Sequence, residues 1–286
     1  MSARHNLQLK LAPWALLTVS VAWGLSFVLM KPAIERQSVN NFLFSRFVLA
    51  VLVMILIRPQ VIKLFTKDLL IRGFGAGFLL GSGYIFQTIG LANTGAAITG
   101  FVTGLYVILT PLFAAVIFKE RVSKSTWLYV IMATLGLALL SLHGWSVGFG
   151  ELMVFFSAIA FAAHIIALSK WSSGRDVYAM TITQLIMCAF LSGIASTFEG
   201  YSAPPDFGVW AVVIFTAVFC TAIAFIIQTW SQAHMSATKV AVILTMEVVF
   251  AAIFAIIFGG ERLTFQAALG GILVVTAMYL LVLKEA

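Results

Sequence analysis

Residues 236–263 read SATKVAVILTMEVVFAAIFAIIFGGERL, an apolar run of about one bilayer's length with Glu247 in its middle. A carboxylate at that depth in lipid is costly unless something pairs or protonates it, so this run limits the folds open to the chain. The run also has a twin. Beginning at Gln87, QTIGLANTGAAITGFVTGLYVILTPLFAAVIFKERV lies over QTWSQAHMSATKVAVILTMEVVFAAIFAIIFGGERL at one constant offset. Gln87-Thr88 then falls on Gln228-Thr229, Tyr106 on Glu247, and Glu120-Arg121 on Glu261-Arg262. The chain reads as two copies of one unit, residues 1–144 and 145–286.

Composition agrees with a membrane setting. Of 286 residues, 62% are hydrophobic and 9% charged, and the mean hydropathy of +1.08 lies far above that of soluble domains. Apolar stretches predict ten helices, at about 12–30, 38–57, 73–92, 97–118, 125–142, 149–170, 177–198, 207–230, 237–258 and 264–283. An eight-helix arrangement with two buried re-entrant segments fits the same hydropathy. Soluble helices would carry a polar face, and strands of a membrane barrel would alternate; these runs do neither. The expected fold class is all-α, a polytopic membrane protein of ten transmembrane helices. The N-terminal run lacks a convincing small-residue cleavage site and is expected to be helix one.

Basic residues set the topology. Of the 17 Lys and Arg, all but Lys31, Arg36, Arg262 and the intrahelical Arg46 fall on the side of the N-terminus. By the positive-inside rule both termini face the cytoplasm. Five helices per copy is an odd number, so the second copy enters with opposite orientation, which makes two inverted five-helix repeats. The net charge of +7 is spread over short connections, and no basic face for nucleic acid is expected.

Polar and aromatic residues inside the apolar runs are the candidate site residues. Trp23 sits well inside helix one, as packing or as the flat wall of a central cavity. Arg46 interrupts helix two and faces a cavity or a structural partner, in preference to snorkelling to the outer headgroups; a cavity guanidinium prefers a carboxylate or another anion. Tyr84 and Gln87 lie one turn apart on nearly the same face of helix three. Gln87 and its mate Gln228 either cross-link helices or line a route. His164, near mid-depth in helix six, makes a structural hydrogen bond or lines the cavity. Glu247 is a protonated structural carboxyl, a substrate contact or a proton carrier. Gly77 and Gly81 allow close helix approach. In helix four Gly104 precedes Pro111, which removes a backbone donor and is expected to kink the helix. Pro111 aligns with Ala252, so no matching irregularity is expected in helix nine. Cys188 and Cys220 are expected to be buried or lipid-facing thiols, and no cluster has metal-ligand spacing.

These motifs resemble the drug/metabolite transporter superfamily, specifically its EamA-type ten-helix proteins. The marks are Trp23-Gly24-Leu25-Ser26-Phe27, Arg46-Phe47, the run from Thr103-Gly104-Leu105-Tyr106-Val107 to Thr110-Pro111-Leu112, and Lys119-Glu120-Arg121-Val122. In the second copy they are Glu247-Val248-Val249-Phe250-Ala251-Ala252 and Gly259-Gly260-Glu261-Arg262-Leu263. Relatives often have proline directly after the equivalent of Glu247; Val248 stands there, which implies a less bent helix.

The resemblance implies a secondary transporter in the bacterial cell inner membrane that moves a small metabolite, such as an amino acid, out of the cytoplasm by alternating access. Helices one to four and six to nine would enclose the cavity, with helices three and eight tilting and five and ten as buttresses. Arg46 is the lone basic residue within the helices, too little for a doubly charged phosphate. A zwitterionic or weakly charged solute is expected, with an apolar or aromatic part for Trp23, Tyr84 and Tyr106 to contact. Coupling to protons and facilitated diffusion both stay open. Drug efflux and a channel-like pore are the alternatives. No enzymatic activity, cofactor or metal is expected. The expected partners are the small-molecule substrate and membrane lipids; a homodimer is compatible with the reading and not required.

Overall fold

The computed structural model describes residues 3–118, 123–143, 146–235, 237–260, 262 and 264–285. Lys119-Glu120-Arg121-Val122, Trp145 with the 144/145 boundary, Glu261 and Leu263 lie outside the described residues, as do the side chains of Arg4, Lys10, Lys239 and Lys284.

Continuous apolar sequence leaves the backbone no solvent partner, and helix formation satisfies each N–H and C=O within its own segment. The chain accordingly folds as α1 (Ala3–Ile34), α2 (Val39–Ile57), α3 (Lys67–Asn93), α4 (Ala96–Thr103), α5 (Tyr106–Phe118), α6 (Lys124–Ser141), α7 (Phe149–Trp171) and α8 (Val177–Glu199). There follow α9 (Phe207–Ala217), α10 (Ala224–Gln232), α11 (Ala237–Leu244), α12 (Met246–Ile257) and α13 (Phe265–Glu285). A π-helical turn, Val218–Ile223, joins α9 to α10, and a two-residue antiparallel pairing, Leu142–His143 with Ser146–Val147, precedes α7.

Seven stretches among the described residues are long and apolar enough to cross a membrane: Leu11–Ile34, Val39–Ile57, Lys67–Asn93, Ala96–Ile117, Phe149–Trp171, Val177–Glu199 and Phe207–Gln232. Met246–Ile257 and Ala268–Ala277 are shorter apolar helices. The protein is an all-α polytopic membrane protein.

Helix starts follow local chemistry. The side chains of Ser38, Thr66, Asp176 and Asp206 accept from backbone N–H groups in the first turns of α2, α3, α8 and α9. Gly174 and Gly200, at φ 73° and 77°, turn the chain through the left-handed region on either side of α8.

The expected kink at Pro111 is displaced. Pro111 lies within α5, and the helix gives way nearly two turns earlier, between α4 and α5. There the Leu105 and Val107 N–H groups bond to carbonyls three residues back, on Val102 and Gly104, both at 3.2 Å. The expectation that helix nine lacks a matching irregularity is also corrected. The chain breaks between α11 and α12 at Thr245, with Val248 N–H bonded to the Thr245 carbonyl at 3.0 Å. Thr245 is the repeat counterpart of Gly104, so the interruption is duplicated without a proline or glycine in the second copy.

Packing follows the repeat. α3 packs on α7 and α8, while its counterpart α9–α10, with the π turn, packs on α1 and α2. α1 packs on α11 and α12 as α7 does on α4 and α5; α2 pairs with its own counterpart α8, and α6 with α13. Glycines make the α3–α8 contact close. A Cβ on Gly77 would stand 2.5 Å from the Gln184 carbonyl oxygen, and one on Gly81 2.9 Å from Leu191 Cδ1. α12 is approached as closely by α1 at Gly24 and by α4 at Gly100, where a Cβ would meet Phe250 and Ala251 at 2.6 Å.

Polar links tie the connections at both ends of the bundle. At one end Arg36 pairs with Asp206, Asn40 donates to Glu199 at 2.5 Å, and Gln37 donates to the Ser202 carbonyl at 2.9 Å. At the other, Arg58 meets Asp176 at 3.1 Å and Asp68 takes both Arg175 at 2.6 Å and Arg72 at 2.7 Å.

Candidate functional site

A cavity of about 470 Å³, counting all space between its lining atoms and any opening to solvent, lies among the helices. The eight residues singled out in the sequence all line it. Trp23, Arg46, Tyr84, Gln87 and Tyr106 come from the first copy, and His164, Gln228 and Glu247 from the second. Gly77 and Gly81 do not line it; they set the α3–α8 spacing, while Gly104 lies at the α4–α5 break and Pro111 within α5.

The lining repeats with the sequence. Gln87 and Gln228, Tyr84 and Phe225, and Tyr106 and Glu247 are counterparts at the repeat offset, and both members of each pair face the cavity. At the same offset so do Trp23 with His164 and Thr103 with Leu244. The two ionic residues are not duplicated. Arg46 corresponds to Met187, and Glu247 to Tyr106.

Arg46 is 1% exposed. Its Nε donates to Thr221 Oγ1 at 2.7 Å, and Nη2 donates to the Tyr84 hydroxyl and the Cys220 carbonyl, each at 3.3 Å. Nη1 meets only the Met30 sulfur, at 3.5 Å. The guanidinium carbon lies 4.7 Å from the Tyr84 ring centroid, so the ring face adds cation–π stabilisation. All these partners are neutral, and among the described residues no carboxylate forms an ion pair with Arg46. The expected preference for an anion is therefore unmet by the protein itself.

The π turn explains how neutral groups hold this cation. Widening the helix there frees carbonyls from the regular i→i−4 ladder. The Cys220 carbonyl accepts from Trp23 Nε1 at 2.8 Å as well as from Arg46, and Thr221 Oγ1 donates to the carbonyl of Thr216, five residues back, at 2.8 Å. Trp23 is thus both a cavity wall and a tie between α1 and the π turn.

Glu247 is 4% exposed and sits in the first turn of α12. His164 Nε2 lies 2.8 Å from Gln184 Oε1, and Gln184 Nε2 donates to the Met180 carbonyl at 3.0 Å. The amide oxygen is thereby the acceptor, so His164 Nε2 carries the hydrogen. The residue combines both readings its sequence position allowed. Gln87 Nε2 donates to Thr103 Oγ1 and Gln228 Nε2 to Gln232 Oε1, both at 3.1 Å. Among the described residues two buried polar atoms of the lining have no protein partner, the Tyr106 hydroxyl and Gln228 Oε1.

Sequence reasoning missed Phe161 and Phe225, which meet Tyr84 edge-on at centroid distances of 5.5 and 6.0 Å. A phenylalanine within an apolar run carries no contrast; only the repeat register, which sets Phe225 against Tyr84, points to it. No group of three or more His, Cys, Asp or Glu among the described residues has metal-binding geometry.

Residues 10–142 and 148–283 each match the family described as "EamA-like transporter family". Three proteins of Archaeoglobus fulgidus, each described as "Uncharacterized transporter", are similar along nearly their whole length. One is 30% identical over 96% of this chain and 86% of its own. The others are 22% identical, over 92% and 94%, and 24% identical, over 95% and 99%. A solved structure titled "Crystal structure of protein" superposes with a TM-score of 0.72 at 17% identity, covering 96% of both chains; at that identity it speaks for the fold alone.

Proposed function

The chain belongs to the EamA-like transporter family, and from that premise we propose that it exports an amino acid or a related small metabolite by alternating access. Membership makes it a membrane transporter of small molecules rather than an enzyme. The amino-acid assignment and the mechanism are the reading offered here.

The observation that carries it is the cavity itself. It is built from repeat counterparts of both copies, among them Gln87 with Gln228 and Tyr84 with Phe225, and its ionic residues are almost wholly buried. A solute held at the meeting line of two similar halves is released to either face when one half rocks against the other. The breaks after Thr103 and at Thr245 supply the flexible points next to Tyr106 and Glu247. On this reading the chain crosses the bilayer ten times as two inverted five-helix repeats, 1–144 and 145–286, with both termini in the cytoplasm. The separate family matches to residues 10–142 and 148–283, the exchangeable packing pattern and the basic-residue bias support it. Among the described residues α6 and α13 contribute nothing to the lining, which suits a buttress. We place the protein in a cytoplasmic membrane; its similar relatives are archaeal, so the bacterial assignment rests on the sequence resemblance alone.

The alternative is a passive pore. It needs a continuously hydrated path, whereas here the polar groups are enclosed. Reconstitution into liposomes loaded with a mixture of the common amino acids distinguishes the two. Saturable uptake of a labelled amino acid that accelerates when unlabelled amino acid is trapped on the far side marks a carrier. Linear, non-saturating flux marks a pore, and absence of any amino-acid flux refutes the assignment.

A further inference from the structure

The two copies supply equivalent positions to the cavity and differ at its charges. Glutamine recurs at Gln87 and Gln228 and an aromatic ring at Tyr84 and Phe225, while the other paired positions have diverged. Arg46 has Met187 as its counterpart and Glu247 has Tyr106, so each charge exists in one half only. A symmetric gate does not call for that difference; an asymmetric solute does. Resting on the transport reading above, we propose that the cavity takes a net-neutral zwitterion in one orientation, with its carboxylate on Nη1 of Arg46 and its ammonium among Glu247, the Tyr106 hydroxyl and Oε1 of Gln228.

The donor inventory supports the anionic end. A guanidinium has five N–H donors in a fixed fork. Nε and Nη2 of Arg46 are spent on oxygen acceptors, and Nη1 has only a thioether. A thioether is a weak acceptor, so a carboxylate entering the cavity finds a charged donor free to take it.

At the cationic end an ammonium brings three donors. The cavity offers it the Glu247 carboxylate and the two buried acceptors that the protein leaves unpartnered, on Tyr106 and Gln228. Gln228 keeps this polarity because its own Nε2 is committed to Gln232. The bound solute thus adds one charge of each sign beside protein charges of opposite sign, and the filled cavity stays neutral. A singly charged analogue would leave one protein charge buried and unanswered, which is penalised. Aromatic rings of Tyr84, Phe161 and Phe225 leave an apolar wall for the rest of the molecule.

The test uses the full chain in liposomes and competition against labelled phenylalanine, with phenylalaninamide as the cationic analogue and 3-phenylpropionate as the anionic one. Wild type is expected to prefer phenylalanine over both by at least roughly tenfold, because a site built to bond a group rejects the molecule lacking it. In Glu247→Gln the preference over 3-phenylpropionate should collapse to about onefold while the amide stays rejected. Equal competition by all three in wild type, or a preference in Glu247→Gln unchanged from wild type, overturns the zwitterion rule while leaving amino-acid transport standing. Failure of every amino acid to compete or cross overturns both. Tyr106→Phe, which removes a hydroxyl that has no partner in the empty protein, is expected to fold normally and to weaken phenylalanine competition several-fold; undiminished competition removes Tyr106 from the ammonium site and overturns that part of the assignment.

Discussion

Arg46 and Glu247 line one cavity from opposite halves of the chain, and no ion pair joins them. A guanidinium buried without a carboxylate partner is expensive to maintain, and Arg46 persists because the carbonyl of Cys220 and the hydroxyls of Thr221 and Tyr84 hold it. Glu247 is buried in the first turn of α12. This arrangement makes both residues sensitive probes of the site.

Arg46→Lys keeps the charge and loses the planar fork. The bonds to Thr221 and Cys220 cannot both survive on a single ammonium placed in the same geometry. With charge-assisted hydrogen bonds contributing about 1.5–3 kcal/mol each, transport should fall by at least roughly tenfold. Initial uptake rates in liposomes, normalised to reconstituted protein, measure this.

Glu247→Gln separates a proton-carrying role from a purely binding one. If Glu247 exchanges a proton during the cycle, the variant should lose the dependence of uptake on an imposed pH gradient. Uptake by wild type and variant across a pH series decides it. Matching rates and matching profiles would take Glu247 out of the mechanism.

Gly77→Ala places a methyl group against the backbone of Gln184, 2.5 Å from its carbonyl oxygen. α8 cannot yield there without disturbing the His164–Gln184 bond at 2.8 Å. A destabilisation of about 1–3 kcal/mol is expected, read as a lowered midpoint of thermal unfolding in detergent.

Asp68→Asn removes the anchor of both Arg72 and Arg175. These pairs are solvent-accessible, so their loss should amount to about 1 kcal/mol or less. That is enough to shift a two-state opening by up to about fivefold. A cysteine placed at the lining residue Ser26, in a background lacking Cys188 and Cys220, should then react faster with a thiol reagent supplied from the face bearing Asp68, and not from the other.

Reporter fusions at the two ends test the ten-crossing reading. Both should report a cytoplasmic location, as an even number of crossings requires. Opposite locations would refute the inverted five-plus-five arrangement.

What was legible in the sequence was contrast. Glu247, Arg46 and His164 stood out because ionisable groups are rare in lipid-length apolar runs, and Gln87 and Gln228 because they recur at one offset. The breaks at Gly104–Leu105 and Thr245 were read less well. Pro111 drew attention as the usual helix breaker, yet α5 runs through it and the break falls nearly two turns earlier. Thr245 has no such mark: the switch from i→i−4 to i→i−3 bonding falls there with neither proline nor glycine to signal it. The π turn at Val218–Ile223 was invisible for the same reason, and its importance lies in a backbone carbonyl, which no residue name records.

The unduplicated charges bear on how such a chain could have come to exist. Two separate, identical halves meeting head to tail would present the same side chain at both equivalent positions: two arginines or none, two glutamates or none. Only once the halves are covalently joined and free to diverge can one hold a cation and the other an anion. Fusion therefore gave this chain more than a fixed partner; it gave the cavity a direction.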